Sequence, residues 1–218
     1  MRIVIAGGHG QIARRLERLL SAGGHEVAGI IRKREQGDDL REAGAEPVLM
    51  DLESASVEEV AAVLHGADVA VFAAGAGPGS GVERKDTVDR GAAVLFADAA
   101  ERVGVRRFIV VSTMGADARH EGDDVFDAYL RAKGAADDYV RGKSGIDWTI
   151  LRPGTLTNDA GKGLVRLEAA TGRGSVPRDD VAAVLAEMTE TPATAGLTLE
   201  LVSGSIPVTV AVKDVAGN

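Results

Sequence analysis

Two residues at helical spacing carry proton-transfer chemistry in this sequence. In Tyr129-Leu-Arg-Ala-Lys133 a phenol and an ammonium stand at i and i+4. On a helix they share one face, so Lys133 would hold its charge near Tyr129 and lower the phenol pKa, making an acid/base unit. Two hydroxyls, Ser112 and Thr113, follow the β-branched run Arg107 to Val111 and so stand at a carboxyl strand end. A second pair, Tyr139-Val-Arg-Gly-Lys143, has the same spacing. Ten residues of helix amount to about 15 Å of rise and about 80° of rotation, so the two pairs cannot serve one site. The first pair is the chemical one: it follows the hydroxyl-bearing strand end across one irregular loop. Lys143 instead sits beside Gly142 and Gly145, where a helix stops and a cation suits its dipole.

A second constellation binds rather than reacts. The run Arg2 to Ala6 is apolar and β-branched, it breaks at Gly7-Gly8, and Ile12, Leu16, Leu19 and Leu20 then recur on one helical face. Gly7, Gly10 and Ala13 stand at G-x-x-G-x-x-A spacing within this strand, turn and helix. Such a turn brings backbone N–H groups close to a pyrophosphate, with the helix dipole adding positive potential. A dinucleotide is the ligand implied. The next strand, His25 to Ile31, ends in Arg32-Lys33-Arg34, about twenty residues beyond the turn, where an acidic group would favour a free ribose 2'-hydroxyl. Guanidinium and ammonium groups there favour a 2'-phosphate, hence NADP over NAD; a merely solvated basic turn is the alternative. Asp51, with Leu52, closes the strand Glu46 to Met50 at the ligand-binding edge. Its carboxylate could accept from an adenine amino group, or belong to a loop in which Ser54 caps the next helix. The strand Asp68 to Ala73 runs into Ala74-Gly75-Ala76-Gly77-Pro78-Gly79, where small side chains let a ribose or pyrophosphate lie against backbone.

The elements that must position these groups alternate along the chain. Helices at 38–43, 57–64, 86–103 and 128–140 separate the strands already named and a sixth, Asp147 to Leu151, which ends in Arg152-Pro153-Gly154. The βαβαβαβαβαβ order predicts an α/β fold, a Rossmann-type doubly wound parallel sheet with helices on both faces, in a single domain. Residues 155–177 are Gly-rich and are expected to form a small substrate-side loop or hairpin. A helix from Arg178 to Glu190, a strand from Leu197 to Val202 and an edge strand over Ile206 to Val212 complete the reading.

Composition narrows the function. The 218 residues suit one α/β domain and leave no room for a large separate substrate domain. A net charge of -8 argues against a general nucleic-acid partner. With no Cys, and with His9, His25, His65 and His120 scattered, neither a thiolate nor a paired-imidazole metal site is expected. No leader segment and no apolar run of bilayer length is present, so the expectation is a soluble, cytoplasmic protein with a small-molecule substrate and no membrane partner. Oligomeric state is not legible.

As a set, Gly7-x-x-Gly10-x-x-Ala13, Ser112-Thr113, Tyr129-x-x-x-Lys133 and Arg152-Pro153-Gly154 resemble the atypical short-chain dehydrogenase/reductases, in particular their small NAD(P)H-binding, NmrA-like group. Ser144 to Gly154 and Arg178-x-Asp-Val-Ala182 resemble that group's later segments, so the likeness covers nearly the whole chain. The resemblance implies NADP, or NAD, cradled by Gly7, Gly10, Gln11 and Ile12 and by the strand end Ala73-Ala74-Gly75, its 2'-phosphate near Arg32 and Lys33 and its adenine near Asp51 and Leu52. It implies that Tyr129 is the acid/base, that Lys133 orients the nicotinamide ribose and tunes Tyr129, and that Ser112 or Thr113 hydrogen-bonds the reacting oxygen. Pro153 and Gly154 would line the nicotinamide. The activity implied is an oxidoreductase acting on a small carbonyl, quinone or related acceptor. Several members of that group bind cofactor without a working Tyr-Lys pair, which leaves a redox-sensing role open. A nucleotide-sugar epimerase uses similar motifs but needs a larger carboxyl-terminal region than follows Gly154.

Overall fold

The computed structural model describes residues 1–77 and 79–217; Pro78, part of the small-residue loop noted above, and Asn218 lie outside the described residues. Strands β1 (Arg2–Ala6), β2 (Glu26–Ile31), β3 (Glu46–Leu49), β4 (Val69–Phe72), β5 (Arg107–Val111) and β6 (Asp147–Pro153) form a parallel sheet in the order 3-2-1-4-5-6. The ladders run in register from Arg2 against Glu26 to Val111 against Leu151. The order reverses between β1 and β4, so the crevice at their carboxyl ends is the topological switch point where doubly wound sheets bind ligands.

These strands are near-continuous apolar runs because both sheet faces are covered. Successive side chains alternate between two cores. Ile3 and Ile5 meet α1 (Gln11–Ala22) and, further along the chain, α7 (Arg178–Glu190) and α8 (Val208–Ala216) through Leu16, Leu20, Leu185 and Val212. Val4 and Ala6 belong to the opposite core with Val60 and Leu64 of α3 (Val57–Leu64), Phe96 of α5 (Ala93–Val103) and Val140 of α6 (Val125–Arg141). In that second core Phe72, Phe96 and Phe108 stack as tilted rings with centroids 6.1 and 5.8 Å apart. The short α2 (Gly37–Glu42) adds Leu40 to the first core.

Three segments differ from expectation. The helix expected over 86–103 starts earlier, at α4 (Val82–Arg84), and passes through a π-helical stretch, Lys85–Ala92, before α5. Residues 155–177 are neither loop nor hairpin. They supply β7 (Thr155–Thr157) and β9 (Ser175–Pro177), paired parallel as a small ribbon, and β8 (Leu164–Glu168), which joins the main sheet antiparallel to β10 (Thr198–Ser203). β10 itself continues the parallel sheet beyond β6. In β8 the side chains of Val165 and Leu167 are buried and those of Arg166 and Glu168 exposed, a period-two pattern masked by flanking glycines. Finally, the run Ile206 to Val212 is an edge strand only at β11 (Ile206–Pro207); from Val208 it is α8, with Val208, Ala211 and Val212 buried on one face. Packing beside α7 overrides the strand preference of its valines.

Candidate functional site

At the end of β1 the chain turns through Gly7 with φ at 80°. A Cβ there would lie 2.6 Å from the Cα of Ala74, in the loop that follows β4, so both the left-handed backbone and the contact require glycine. Gly10 N–H donates to the Gly7 carbonyl at 2.8 Å, and the Gly10 carbonyl accepts from Arg14 N–H at 2.9 Å, opening α1. No side chain caps this helix and its first turn holds no acidic residue. Its amides and positive dipole end therefore face the crevice beside Ala73, Ala74 and Gly75, an arrangement suited to an anion. Gly8, which the sequence did not single out, lets the turn pack on β2: a Cβ there would lie 2.9 Å from the Cα of Gly29.

Two cavities open on either side of this turn and share His9, Gly10, Ala73, Ala74 and Gly75 as lining. The smaller, about 230 Å³, has apolar walls from Ile31, Met50, Leu52, Val88 and Ala92 and a charged mouth from Arg32, Asp51, Glu53 and Arg84. The basic turn divides here. Arg32 lines the cavity, whereas Lys33 is exposed, lies outside its lining and has its ammonium 4.0 Å from Glu35. Asp51 accepts a hydrogen bond from Glu53 N–H at 3.1 Å. The cap of α3 is Ser56, whose hydroxyl accepts from Glu59 N–H at 3.2 Å, and not Ser54 as one reading of the sequence had it. Glu53 takes hydrogen bonds from Arg84 and from the Thr87 hydroxyl, both at 2.6 Å, and these hold its carboxyl below the usual range.

The larger cavity, about 830 Å³, is lined by Gln11 and Ile12 of α1, by Ser112 and Thr113 after β5, by Tyr129 and Lys133 of α6, and by Pro153 and Gly154 at the end of β6. It brings the glycine turn, both hydroxyls and the first Tyr-Lys pair to one space. Lys133 is buried and donates to the Val111 carbonyl at 2.7 Å, with its ammonium 5.7 Å above the Phe72 ring. Burial lowers its pKa, and the charges of Asp89 and Asp137 oppose that. The Tyr129 phenol is pushed up to about 12, first by burial and then by the charge of Asp89, while a hydrogen bond with Thr113 pulls it back. The expected lowering by Lys133 is therefore not what this arrangement produces: the ammonium is engaged by the Val111 carbonyl, and burial governs the phenol. The two hydroxyls also differ. Ser112 donates to Asp137 at 2.9 Å, on the same carboxylate oxygen that accepts from Arg152 at 2.8 Å, so its proton is committed inside the fold. Thr113 is the hydroxyl beside Tyr129.

Sequence reasoning missed four charged residues of this space, Arg14, Lys85, Asp89 and Arg178, of which Lys85 and Asp89 stand nearest Tyr129. From the π-helical stretch, Lys85 donates to the Gly77 carbonyl at 3.0 Å and sits 5.2 Å over the Tyr129 ring. Asp89, 1% exposed, accepts from Ala76 N–H at 3.3 Å, and burial raises its pKa. The helix expected over 86–103 leaves Lys85 outside it; the signal in sequence is the i, i+4 spacing of Lys85 and Asp89 in phase with Val88 and Ala92. The second pair, Tyr139 and Lys143, lies away from both cavities. The Tyr139 hydroxyl donates to Asp98 at 2.7 Å, and Lys143 pairs with Asp98 at 2.6 Å and Glu101 at 2.8 Å, tying α6 to α5. Among the described residues no group of three His, Asp or Glu side chains is placed to hold a metal ion, and no helix is long and apolar enough to cross a membrane.

Residues 7–192 match the model of a family described as NAD(P)H-binding. A Bacillus subtilis protein named as a sugar epimerase, YhfK, is 36% identical over 214 residues, covering 98% of this chain and 99% of its own. Among solved structures, a Bacillus halodurans protein described as an NAD-dependent epimerase/dehydratase superposes with a TM-score of 0.90 at 36% identity, covering 98% of this chain and 99% of that one. The oxidoreductase ylbE of Lactococcus lactis superposes at 0.85 with 27% identity over 100% of this chain and 98% of its own. With the match spanning both the glycine turn and the Tyr129 helix, the chain belongs to the NAD(P)H-binding family.

Proposed function

We propose that this protein is an NADP-dependent oxidoreductase that reduces a small carbonyl, quinone or related acceptor, with Tyr129 as proton donor. The observation that carries this reading is the pair of adjoining cavities that meet at the glycine turn, one reaching Arg32 and the other Tyr129, Thr113 and Lys133. A bound nicotinamide would supply the hydride; the chain's residues do the rest. Gly7, Gly10, Gln11 and Ile12 would hold the pyrophosphate, Arg32 would face the 2'-phosphate, and Asp51 and Leu52 would border the adenine. Pro153 and Gly154 would wall the nicotinamide. Lys133, anchored on the Val111 carbonyl, would present its charge to the nicotinamide ribose. Tyr129 keeps its proton at neutral pH, as a donor to a developing alkoxide requires, and Thr113 orients it.

The names of the Bacillus relatives favour a second reading, epimerisation of a sugar, in which oxidation and reduction cancel and no NADPH is consumed. Most of the chain after Gly154 completes the sheet and the α7–α8 layer, which leaves only the β7–β9 ribbon and the start of α7 to shape a substrate pocket; this favours a small acceptor. A redox sensor without turnover is the third reading. The deciding experiment is a fluorescence titration with NADPH and NADH, followed by a carbonyl and quinone panel on the protein and its Tyr129→Phe variant. The expected result is tighter binding of NADPH, NADPH consumption with at least one acceptor, and a fall of about 10²-fold or more in turnover with cofactor affinity retained. Binding without consumption, unaffected by the substitution, would sink the reductase in favour of the sensor.

A further inference from the structure

The mouth of the smaller cavity holds two guanidinium groups gathered by one carboxylate. Oε2 of Glu53 accepts from Arg84 Nη2 at 2.6 Å and lies 3.9 Å from Arg32 Nη1. Arg84 comes from α4, on the far side of the switch point from Arg32 at the end of β2, so two separate crossovers converge on this spot. The Glu53 carboxylate is itself fixed, because its other oxygen accepts from the Thr87 hydroxyl at 2.6 Å. Both arginines line the same cavity as the apolar side chains of Ile31, Met50, Leu52 and Val88.

Geometry and charge together decide what such a mouth can take. Glu53 occupies the Nε and Nη2 edge of the Arg84 guanidinium, with contacts at 3.4 and 2.6 Å, which leaves the Nη1 side for another acceptor. Glu53 and Asp51 formally balance the two guanidiniums at this mouth, but Arg32 stands 3.9 Å from Glu53, beyond hydrogen-bond distance, and Arg84 keeps its Nη1 side open, so both can donate to a group with three acceptor oxygens and close to two negative charges. Accepting the reading of this cavity as the adenosine end of an NADP site, we infer that Arg84 is a specificity-determining residue that shares the 2'-phosphate with Arg32, and that Glu53 holds it ready to do so. Neither arginine alone then carries the discrimination against NAD.

The test is the affinity of NADPH, NADH, 2',5'-ADP and 5'-AMP for the full chain and for Arg84→Met, Arg84→Lys and Arg90→Met. Arg90 pairs with Asp86 on the outer side of the same helix and serves as control. Expected for Arg84→Met is at least a tenfold loss of affinity for NADPH and 2',5'-ADP, with NADH and 5'-AMP changed less than twofold. Arg84→Lys should fall between, because it keeps the charge and loses the fork, and Arg90→Met should match the parent protein. Equal losses for phosphorylated and unphosphorylated ligands would overturn the assignment by showing that Arg84 covers the adenine; no loss for any ligand would reduce it to a surface partner of Glu53. If the parent protein bound none of the four ligands, the cofactor reading itself would fail, an outcome distinct from either.

Discussion

Tyr129 lies where four influences on a phenol meet: burial, the Asp89 carboxylate, the Thr113 hydroxyl and the Asp137 carboxylate. Burial and the two carboxylates raise its pKa and outweigh the hydroxyl. Of the protein's two tyrosines, the other is Tyr139, so a Tyr139→Phe variant leaves Tyr129 as the only titrating phenol. Its tyrosinate absorbance is expected to stay absent through the ordinary midpoint of 10.0 for as long as circular dichroism reports an intact fold. Asp89→Asn, by removing the opposing charge, should bring the onset down, whereas Lys133→Met should leave it in place, since that ammonium is spent on the Val111 carbonyl. A normal midpoint near 10.0, shifted upward by Lys133→Met, would instead restore the direct Lys133 effect that the spacing suggested.

At the scale of elements, α6 is the part that sets the site, because from one rod it presents Tyr129 and Lys133 to the crevice and Asp137 to Ser112 and Arg152 inside the fold. Its seat depends on Gly134. A Cβ at that position would collide with the backbone of Asp117 and Ala118 in the loop between β5 and α6. Gly134→Ala is therefore expected to lower stability by about 1–3 kcal/mol, despite the better helix propensity of alanine, because the helix must back away from that loop. Gly91→Ala is the contrast: it sits in the exposed part of the π-helical stretch, where a Cβ would make ordinary contact at 3.5 Å with the Asp86 carbonyl. Urea denaturation should show the first variant weakened and the second unchanged or slightly stabilised; similar values for both would mean that α6 does not rest on residues 117–118. The π-helical stretch matters for a related reason. Its wider turn places Lys85, Val88, Asp89 and Ala92 on the buried side while Asp86 and Arg90 pair outside at 2.6 Å.

For the whole molecule, the most consequential charge is one outside the proposed chemistry. Glu17 of α1 is fully buried beneath the glycine turn, and neither carboxylate oxygen has a hydrogen-bond partner among the described residues. Burial raises its pKa from 4.5 to about 8, against the pull of Arg14 and Arg18. Below pH 4.5 both folded and unfolded chains hold the proton, and Glu17 makes stability independent of pH there. Between 4.5 and about 8 the unfolded chain releases a proton that the folded one keeps, so stability falls as pH rises, and the loss levels off once folded Glu17 ionises. The whole effect is at most about 5 kcal/mol. Glu17→Met, apolar and of similar length, should flatten this slope and be more stable than the parent at pH 8, as read from denaturation midpoints at pH 5 and pH 8. Parallel pH profiles for the two proteins would show that the carboxyl finds a partner on ionising.

The sequence by itself determined the sheet and its ligand edge. A buried parallel strand must be apolar on both faces, and a strand followed by Gly7-x-x-Gly10 and an amphipathic helix has few other ways to turn, so local pattern sufficed for β1 to β6 and the helices between them. It also proposed the groups that line the crevice, Lys33 apart, because each stands at the carboxyl end of a strand or on the helix after it. Tertiary structure decided what local pattern leaves degenerate. Two Tyr-x-x-x-Lys pairs look alike in sequence, and only the docking of α6 turns one toward the crevice and the other toward Asp98 and Glu101. The valines after Ile206 prefer a strand until α7 offers them a helical groove. Arg84, Lys85, Asp89 and Glu53 carry no local motif, and only a π-helical turn and a switch point bring them to the cavities. Charge and conformation at such positions depend on contacts across many residues of chain, and no local window contains them.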